Sequence, residues 1–299
     1  MAESQLMRSW PAIVILTSTL SACTNSREAA PTNASPGTPL AMSLKAIPVV
    51  APRPASEPSR VDQTGKGDLD AVVERGYLRV LVARSRTYFE NNNGEVRGRA
   101  VDVGVALAEM LSQRTAAKVS VVFIETVEGA LIRDLLAGRG DVAANLLLTF
   151  ERDDQVAFSP PVRSGIRELV VTELSAPLIS LEDVGGRTIH VRKHSDHHAS
   201  LLRLNEQLKN INRPPARVIA EEKIATDEDL LDRVNAGSIP ATIADDYIFD
   251  LWKKEFPKIT ANRDVAVSQD GSLSWVTRKD APRLLAIINE FFSTHRLTF

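Results

Sequence analysis

Short apolar segments typical of β-strands alternate with segments of helical periodicity over most of this 299-residue chain. The predicted strands are residues 77–83, 119–124, 141–147, 167–173, 188–192, 217–220, 241–244 and 273–278. The predicted helices are residues 68–75, 102–114, 127–137, 195–211, 227–235, 247–256 and 281–294, with Asp68 and Asp102 as N-caps of the first two. Strands and helices in this alternation favour right-handed βαβ units and mostly parallel sheets. We therefore predict an α/β fold with two lobes joined by extended crossings.

The first 23 residues have the pattern of a bacterial lipoprotein signal. Arg8 precedes an apolar run at residues 10–16, and small residues lead to Cys23, the single cysteine. The run is shorter than the roughly 20 residues that a spanning helix needs. We expect residues 1–22 to be removed and Cys23 to be lipidated in the periplasm; the alternative is a buried free cysteine. Thr24, in place of an aspartate, favours anchoring in the outer membrane over the inner one.

The segment from residue 23 to residue 66 is predicted to be a disordered linker. Seven of the sixteen prolines lie between residues 24 and 66, among many Ala, Ser and Thr residues. Proline favours extended conformers, and so polar a segment cannot bury enough apolar surface to fold alone. We expect it to hold a folded domain away from a membrane.

The composition excludes one class of function and weakens another. A formal net charge of −2 and an isoelectric point near 6.3 show no basic excess, so we expect no nucleic-acid partner. Aromatic residues make up only 5% of the chain, which weakens a carbohydrate-binding interpretation. At 43% hydrophobic residues, the chain can form a well-buried core.

Residues 149–160 read TFERDDQVAFSP and follow a predicted strand. Arg152 in this segment is suited to an anionic group, because a guanidinium is always charged and meets a carboxylate through two parallel hydrogen bonds. The alternative is a surface arginine that pairs with Glu151, Asp153 or Asp154.

This segment resembles the T-x-E-R and F-S-x-P signature of the bacterial extracellular solute-binding proteins of family 3, the amino-acid type. The resemblance implies that Arg152 holds the α-carboxylate of a ligand and that Thr149 assists; the alternative for Thr149 is a turn or helix-start residue. It also implies the two-lobed, type II periplasmic-binding-protein fold. Lobe 1 would comprise residues 67–168 with 279–299, and lobe 2 residues 169–272.

Two further segments match the family in lobe 2. Residues 241–246 read ATIADD, and the resemblance implies that Asp245, at a strand end, binds the ligand's α-ammonium. Asp246 leaves the register open by one position, and either aspartate is otherwise a helix cap. Ser195 matches a small residue whose helix-start N–H groups help to bind the carboxylate.

Tyr88 and Phe89 lie where the family often places an aromatic ring over the ligand side chain, although one of the two is expected to pack beneath the loop. Four of the five histidines cluster around Ser195: His190, His194, His197 and His198. They invite a metal-site hypothesis, but no matched ligand spacing accompanies them, so we favour a pH-sensitive rim. We predict no metal and no cofactor.

The resemblance extends over about residues 68–292 and is strongest to the solute-binding domain of the membrane-bound lytic murein transglycosylase F family, through RTYF at 86–89, VRKHS at 191–195 and NEFF at 289–292. We expect a monomeric, lipid-anchored binding protein and no enzyme, since that family's catalytic domain finds no counterpart in the sequence. The ligand would be an amino acid, peptide-like molecule or similar small zwitterion, passed to a membrane permease of the ABC type. The alternative is a regulatory solute-binding module in cell-wall turnover.

Overall fold

The computed structural model describes residues 64–223 and 226–295, without the side chains of residues 150 and 151. The predicted signal peptide, Cys23 and the linker up to residue 63 lie outside these described residues. Of the helices that the described ranges contain, none has the length and hydropathy that crossing a membrane requires.

The first half of the described chain forms strands and helices in alternation. They are α1 (Leu69–Arg75), β1 (Tyr77–Ala83), β2 (Glu90–Asn92), β3 (Glu95–Arg97), α2 (Arg99–Thr115), β4 (Ser120–Thr126), α3 (Leu131–Leu136), β5 (Val142–Leu147), α4 (Phe150–Asp153), β6 (Val156–Phe158) and β7 (Arg163–Glu173). A short 3₁₀ turn (Glu128–Ala130) leads into α3. Gly76 ends α1 with a φ of 75°, the left-handed conformation that glycine adopts without strain.

The second half repeats the alternation. Its elements are β8 (Thr188–Arg192), α5 (Asp196–Asn210), β9 (Arg217–Glu221), α6 (Asp227–Asn235), β10 (Ala241–Asp245), α7 (Asp246–Trp252), β11 (Ile259–Arg278) and α8 (Pro282–Thr294). The strands β1, β8 and β10 match the sequence prediction to within one residue, because β1 and β10 are mostly buried and apolar and β8 alternates buried apolar residues with polar ones.

The main sheet has the strand order β4-β1-β5-β11-β7-β10-β8-β9, with β6 paired to β11. Lobe 1 is the half built on β4, β1 and β5, and lobe 2 is the half built on β9, β8 and β10. In each lobe these three strands are parallel, and the first in chain order lies between the other two. The predicted α/β, two-lobed fold with mostly parallel strands is confirmed.

Two antiparallel strands, β7 and β11, join the lobes. β11 pairs with β7 from Ile259 to Leu273 and with β5 and β6 from Leu273 to Arg278. The sequence predicted only residues 273–278 of this strand. The earlier part was missed because exposed polar residues such as Arg263, Asp264 and Asp270 interrupt its apolar pattern. Since β7 and β11 belong to both halves of the sheet, the exact lobe limits stay a prediction.

Helices cover both faces of each half-sheet. In lobe 1, Leu78 and Val80 of β1 share a buried cluster with Leu107 of α2 and Ile288 of α8. Leu81 of β1 faces the other way, into a second cluster formed with α3. Lobe 2 has the corresponding pair of clusters on the two faces of its strands. Buried on both sides, the strands are held rigidly, so the residues at their ends are fixed in space.

Of the two predicted N-caps, Asp68 occupies that position of α1 and Asp102 does not occupy that of α2. Asp68 precedes α1 but makes no cap bond to it; its carboxylate accepts hydrogen bonds from the backbone N–H groups of Arg283 and Leu284, in the first turn of α8. α2 begins at Arg99 after Gly98, so Asp102 lies within its first turn. An acidic side chain is favourable at each place because it meets a helix N-terminus, which carries a partial positive charge.

A buried ion pair links β1 to the residue that directly precedes β5. Arg79 and Asp141 are each 1% exposed, and Arg79 Nη2 lies 2.8 Å from Asp141 Oδ1. Arg79 also donates to the carbonyl oxygens of Gly138 and Gly65, and Arg75 Nη2 donates to Asp141 Oδ2 at 2.6 Å. Buried charges are tolerated when their partners are this complete, and each becomes costly when its partner is removed.

We expect Asp141→Ala to lower the free energy of unfolding by about 3–5 kcal/mol, because Arg79 would keep its burial without a counter-charge. Urea unfolding followed by circular dichroism measures this change. Asp70→Ala is the control, since the Asp70–Arg283 pair is exposed and should contribute less than about 1 kcal/mol. Equal losses in the two variants would contradict the assignment.

Candidate functional site

A cavity of about 100 Å³ lies between the lobes, where the parallel strands of both lobes end. Its wall includes Ser85 after β1, Glu128 after β4, Asn145 and Leu147 of β5, Arg192 of β8, Asp227 after β9 and Asp245 of β10. Ligands of open α/β sheets bind at the carboxyl ends of the strands. The cavity is therefore the candidate functional site.

Arg152, predicted to hold a ligand carboxylate, binds a carboxylate of this chain. Its Nη2 lies 2.5 Å from Asp196 Oδ1, its Nη1 lies 3.1 Å from Asp196 Oδ2, and Nη1 also donates to the carbonyl oxygen of Leu147. Asp196 belongs to α5 of lobe 2, so the partner comes from across the cleft and is neither Asp153 nor Asp154. Thr149 is the N-cap of α4, and its hydroxyl accepts from the N–H of Arg152.

The N-terminus of α5 is also occupied from within the chain. Ser195 is the N-cap, and its buried hydroxyl accepts from the N–H of His198 and donates to the carbonyl of Arg192. The N–H of Asp196 donates to Glu128 Oε1 of lobe 1 at 3.1 Å, while Glu128 Oε2 lies 2.6 Å from Arg192 Nη2. A carboxylate therefore sits at the helix start that was predicted to bind one, and it belongs to Glu128.

Of the two aspartates between which the sequence left the register open, Asp245 lines the cavity and Asp246 is not among the residues of its wall. Asp246 Oδ1 accepts from the N–H of Tyr247 at the start of α7. Asp245 makes no cap bond; its Oδ1 lies 3.2 Å from Nε2 of His197. An aspartate at the strand end thus presents its carboxylate to the cavity.

His197 connects two carboxylates of lobe 2. Besides Asp245, it approaches Asp227, with 3.5 Å between His197 Nδ1 and Asp227 Oδ1. Burial lowers the pKa of His197, but the charges of Asp227 and Asp245 outweigh burial and raise it well above its ordinary value. Burial raises the pKa of Asp227, but Arg192 and His197 outweigh it and hold that pKa far below the usual range. His197 is thus an imidazolium that neutralises its acidic neighbours.

Glu168 lies beside Asp245, because the two residues are paired in register on β7 and β10. It is 3% exposed, and its Oε2 has no hydrogen-bond partner among the described residues. Burial raises the pKa of Glu168. A buried carboxylate oxygen on the wall of a cavity is available to a hydrogen-bond donor in that cavity.

The two predicted aromatic residues point to different places. Tyr88 lines the cavity, and its hydroxyl donates to that of Tyr247 of lobe 2 at 2.6 Å. Burial raises the pKa of both tyrosines, so both phenols stay protonated. Phe89 is corrected: it is 1% exposed and packs in the lobe 1 core, with its ring centroid 5.7 Å from that of Phe123. Consecutive side chains of an extended segment point in opposite directions, which separates Tyr88 from Phe89.

The four clustered histidines do not converge on one point. In the part of the chain that the structure describes, the group suited to a metal ion is Glu168, His197 and Asp245, whose ligand atoms lie within 4.8 Å of one another. His190 pairs with Glu221 instead. A metal would have to displace the proton of His197, since only neutral imidazole ligates.

Sequence reasoning missed several wall residues: Glu128, Glu168, Arg192, Asp227, Glu228 and Tyr247. Arg192 ends a predicted strand, and Glu128 and Tyr247 lie within four residues after one, so the rule that located Arg152 and Asp245 could have found these three. Asp227 and Glu228 begin a predicted helix instead. Glu168 lies inside a crossing strand, and its orientation towards the cleft follows from pairing with β10, which the sequence does not reveal.

Residues 78–297 match the family profile of the bacterial extracellular solute-binding proteins, family 3. Curated relatives include membrane-bound lytic murein transglycosylase F from Maricaulis maris, 28% identical over 240 residues, which cover 79% of this chain and 49% of the relative. The same enzyme from Pseudomonas fluorescens is 30% identical over 237 residues, covering 75% of this chain and 44% of the relative. The chain thus spans about half the length or less of these relatives.

Solved structures share the fold. Holo ArgBP from T. maritima is 22% identical, with a TM-score of 0.57 over 75% of this chain and 92% of that one. An amino acid ABC transporter substrate-binding protein from Streptococcus pneumoniae, bound to L-arginine, is 17% identical, with a TM-score of 0.63 over 75% of this chain and 90% of that one. From the family match over most of its length, we conclude that the chain belongs to the bacterial extracellular solute-binding proteins, family 3.

Proposed function

We propose that this member of the family is an extracytoplasmic, lipid-anchored protein that binds an amino acid or a similar small, amine-bearing solute in the interlobe cleft. The observation that carries the proposal is the paired carboxylates of Glu168 and Asp245 on the wall of a cavity between two hinged lobes. A cationic amine adds a positive charge to the one that His197 supplies to Asp245, and it gives Glu168 Oε2 the partner that this oxygen lacks among the described residues.

Closure of the lobes would report binding. The loop after β1 already contacts lobe 2: Arg86 bonds to Asp229 and Asp232, and Thr87 bonds to Glu228. β7 and β11 are the segments about which the lobes can rotate. A solute that contacts both lobes favours the closed arrangement by its higher affinity for it.

The cellular role that fits this chemistry is the substrate-binding component of an ABC-type transporter. The structural neighbours support it, because one is an amino acid ABC transporter substrate-binding protein. In this proposal Cys23 carries the lipid, the linker of residues 23–66 reaches away from the outer membrane, and a monomer delivers solute to a permease. The protein itself catalyses no reaction.

A second candidate role is a regulatory module in cell-wall turnover. It is supported by the names of the curated relatives, which are membrane-bound lytic murein transglycosylases. In this role the same cleft would bind an amine-bearing cell-wall peptide. The ligand class therefore separates the two candidates.

A thermal-shift panel of amino acids, amines and muropeptides tests the proposal. A solute held at about 100 times its dissociation constant should stabilise the protein by about 2.7 kcal/mol. Stabilisation by small solutes supports transport, stabilisation by muropeptides alone supports the regulatory role, and stabilisation by neither contradicts both.

For the best solute of that panel, Asp245→Asn should raise the dissociation constant about thirtyfold or more, which corresponds to a loss of about 2 kcal/mol, because a charged partner of the amine is lost. Titration calorimetry measures the change. Asp250→Asn is the matched control. Asp250 lies in α7, which directly follows Asp245, but it is exposed and paired with Lys253 and Arg263. An unchanged constant in the Asp245 variant would remove this carboxylate from the site.

The proposed anchor depends on one thiol. With Cys23→Ser, acylation cannot occur, so the protein should move from the detergent phase to the aqueous phase in Triton X-114 partitioning of cell extracts. Retention in the detergent phase would show that another feature holds the protein at the membrane.

His197 should give the stability of the protein a characteristic pH dependence. Because its folded pKa is raised, its stabilising contribution is present below about pH 6.5, the unfolded value, and is lost as the pH rises through the folded pKa. The difference in free energy of unfolding between wild type and His197→Gln should therefore shrink as the pH rises above 6.5, in urea titrations at several pH values.

The neighbouring His198 is the control. Burial and then the nearby charges of His194 and Lys193 lower the pKa of His198, so it disfavours the folded state only at acidic pH. His198→Gln should gain stability relative to wild type as the pH falls. A His197 difference that does not change with pH would contradict the imidazolium assignment.

A further inference from the structure

Two consecutive residues at the start of α5 occupy both charged positions that were predicted to bind a zwitterion. Asp196 places its carboxylate on Arg152, with Nη2 and Oδ1 2.5 Å apart. His197 places its ring on Asp245, with Nε2 and Oδ1 3.2 Å apart. The chain thus supplies, from its own helix, a carboxylate for the cationic position and an imidazolium for the anionic one.

Arg152, at the cationic position, already bonds to groups of this chain. Both terminal nitrogens of Arg152 bond to the two oxygens of Asp196, and Nη1 also bonds to the carbonyl of Leu147. This two-pronged arrangement is the one through which a guanidinium would grip a ligand carboxylate. The other anion-binding group, the N–H of Asp196 at the start of α5, is bonded to Glu128. A ligand carboxylate that binds at either of these two groups would have to displace an acidic side chain, and Arg84, which is exposed, is the further guanidinium on the wall.

The anionic position, formed by Glu168 and Asp245, can still accept a hydrogen bond. Glu168 Oε2 has no hydrogen-bond partner in residues 64–223 and 226–295, although Glu168 is 97% buried and lines the cavity. The wall as a whole is acidic, because six carboxyl groups face three basic groups: Glu128, Glu168, Asp196, Asp227, Glu228 and Asp245 against Arg84, Arg192 and His197. This acidic wall would repel a carboxylate of the ligand and attract a cationic group.

The rest of the wall suits a short hydrocarbon chain. Val82, Leu131 and Leu273 contribute aliphatic surface, and Tyr88 and Tyr247 contribute aromatic rings, of which that of Tyr247 already has the guanidinium of Arg163 at 4.3 Å from its centroid. Aromatic faces attract organic cations, and the aliphatic groups remove methylene groups from water. The volume of about 100 Å³ favours a small molecule.

We propose that the cleft selects a small organic cation without a free α-carboxylate, a primary amine or diamine, and that Asp196 is the specificity-determining residue because it holds Arg152. The inference rests on the proposed function and narrows its ligand class. Within the amine-bearing solutes, it places the decarboxylated form of a basic amino acid ahead of the amino acid itself.

Matched pairs of compounds that differ by one carboxylate test this selection. Titration calorimetry of the wild-type protein compares lysine with 1,5-diaminopentane and arginine with agmatine. We expect the amine of each pair to bind about tenfold tighter or more, because the amino acid must break the Arg152–Asp196 pair to place its carboxylate. This comparison needs no variant, so it decides the question even if substitutions at the site impair folding.

Asp196→Ser then tests the assigned residue. Releasing Arg152 should tighten the binding of the amino acids about tenfold or more, whereas the amines, which lose one carboxylate of the wall, should not bind more tightly. Asp153→Ser is the control, since Asp153 is exposed in the same turn as Arg152 and should change neither constant. Circular dichroism verifies the fold of both variants.

The outcomes separate this inference from the function on which it rests. If wild type binds the amino acids as tightly as the amines, the selection is wrong and solute binding stands. If the amines win but Asp196→Ser does not improve amino-acid binding, Asp196 is not the determinant. If none of the four compounds binds and no solute of the thermal-shift panel stabilises the protein, both this inference and the proposed function are wrong.

Discussion

The carboxyl ends of the parallel strands in both lobes meet at one cleft, and this constraint determines the character of the site. Each strand end places a polar or charged residue there, from Glu128 after β4 to Asp245 at the end of β10. Buried clusters on both faces of each half-sheet hold the strand ends in place. Charges that the sequence separates by a hundred residues therefore meet in a small, poorly solvated volume, where unpaired charge is costly.

Much of the fold could be predicted from the sequence because local pattern and tertiary environment agree. β1 and β10 are short, mostly apolar and buried segments, and β8 alternates buried apolar residues with polar ones, so the local pattern identifies all three. The long hinge strand β11 was only partly predicted, because its middle is exposed and polar. Asp68 shows another limit: its carboxylate bonds to α8, more than 200 residues away, and no local cap pattern can reveal such a partner.

Of the residues that the sequence proposed for the site, Asp245 and Tyr88 line the cavity, whereas Arg152, Thr149 and Ser195 are not among the residues of its wall, and their binding roles stay predictions. The motif located Arg152, and the strand end located Asp245, because both depend on local sequence. Their partners, Asp196 and His197, depend on how one lobe lies against the other. The prediction for His197 was a pH-sensitive rim, and its double contact with Asp227 and Asp245 gives that idea a specific form. Ser195 was expected to lie at a helix start that binds a carboxylate, and the neighbouring N–H of Asp196 donates to the carboxylate of Glu128.

The internal pairs also limit what a solute can contribute to closure. Arg152–Asp196, Glu128–Arg192 and the Arg86 contacts with α6 are made by the chain itself, so they favour the closed arrangement whether or not a solute binds. A solute shifts the equilibrium between the lobes only through groups whose bonding it improves. Glu168 is such a group, since its buried Oε2 has no partner among the described residues. An amine that bonds there favours closure when its other end contacts lobe 1, whereas a carboxylate gains only after it breaks a pair of similar strength. For a cleft with these partners, the contribution of a ligand to closure follows its positive charge.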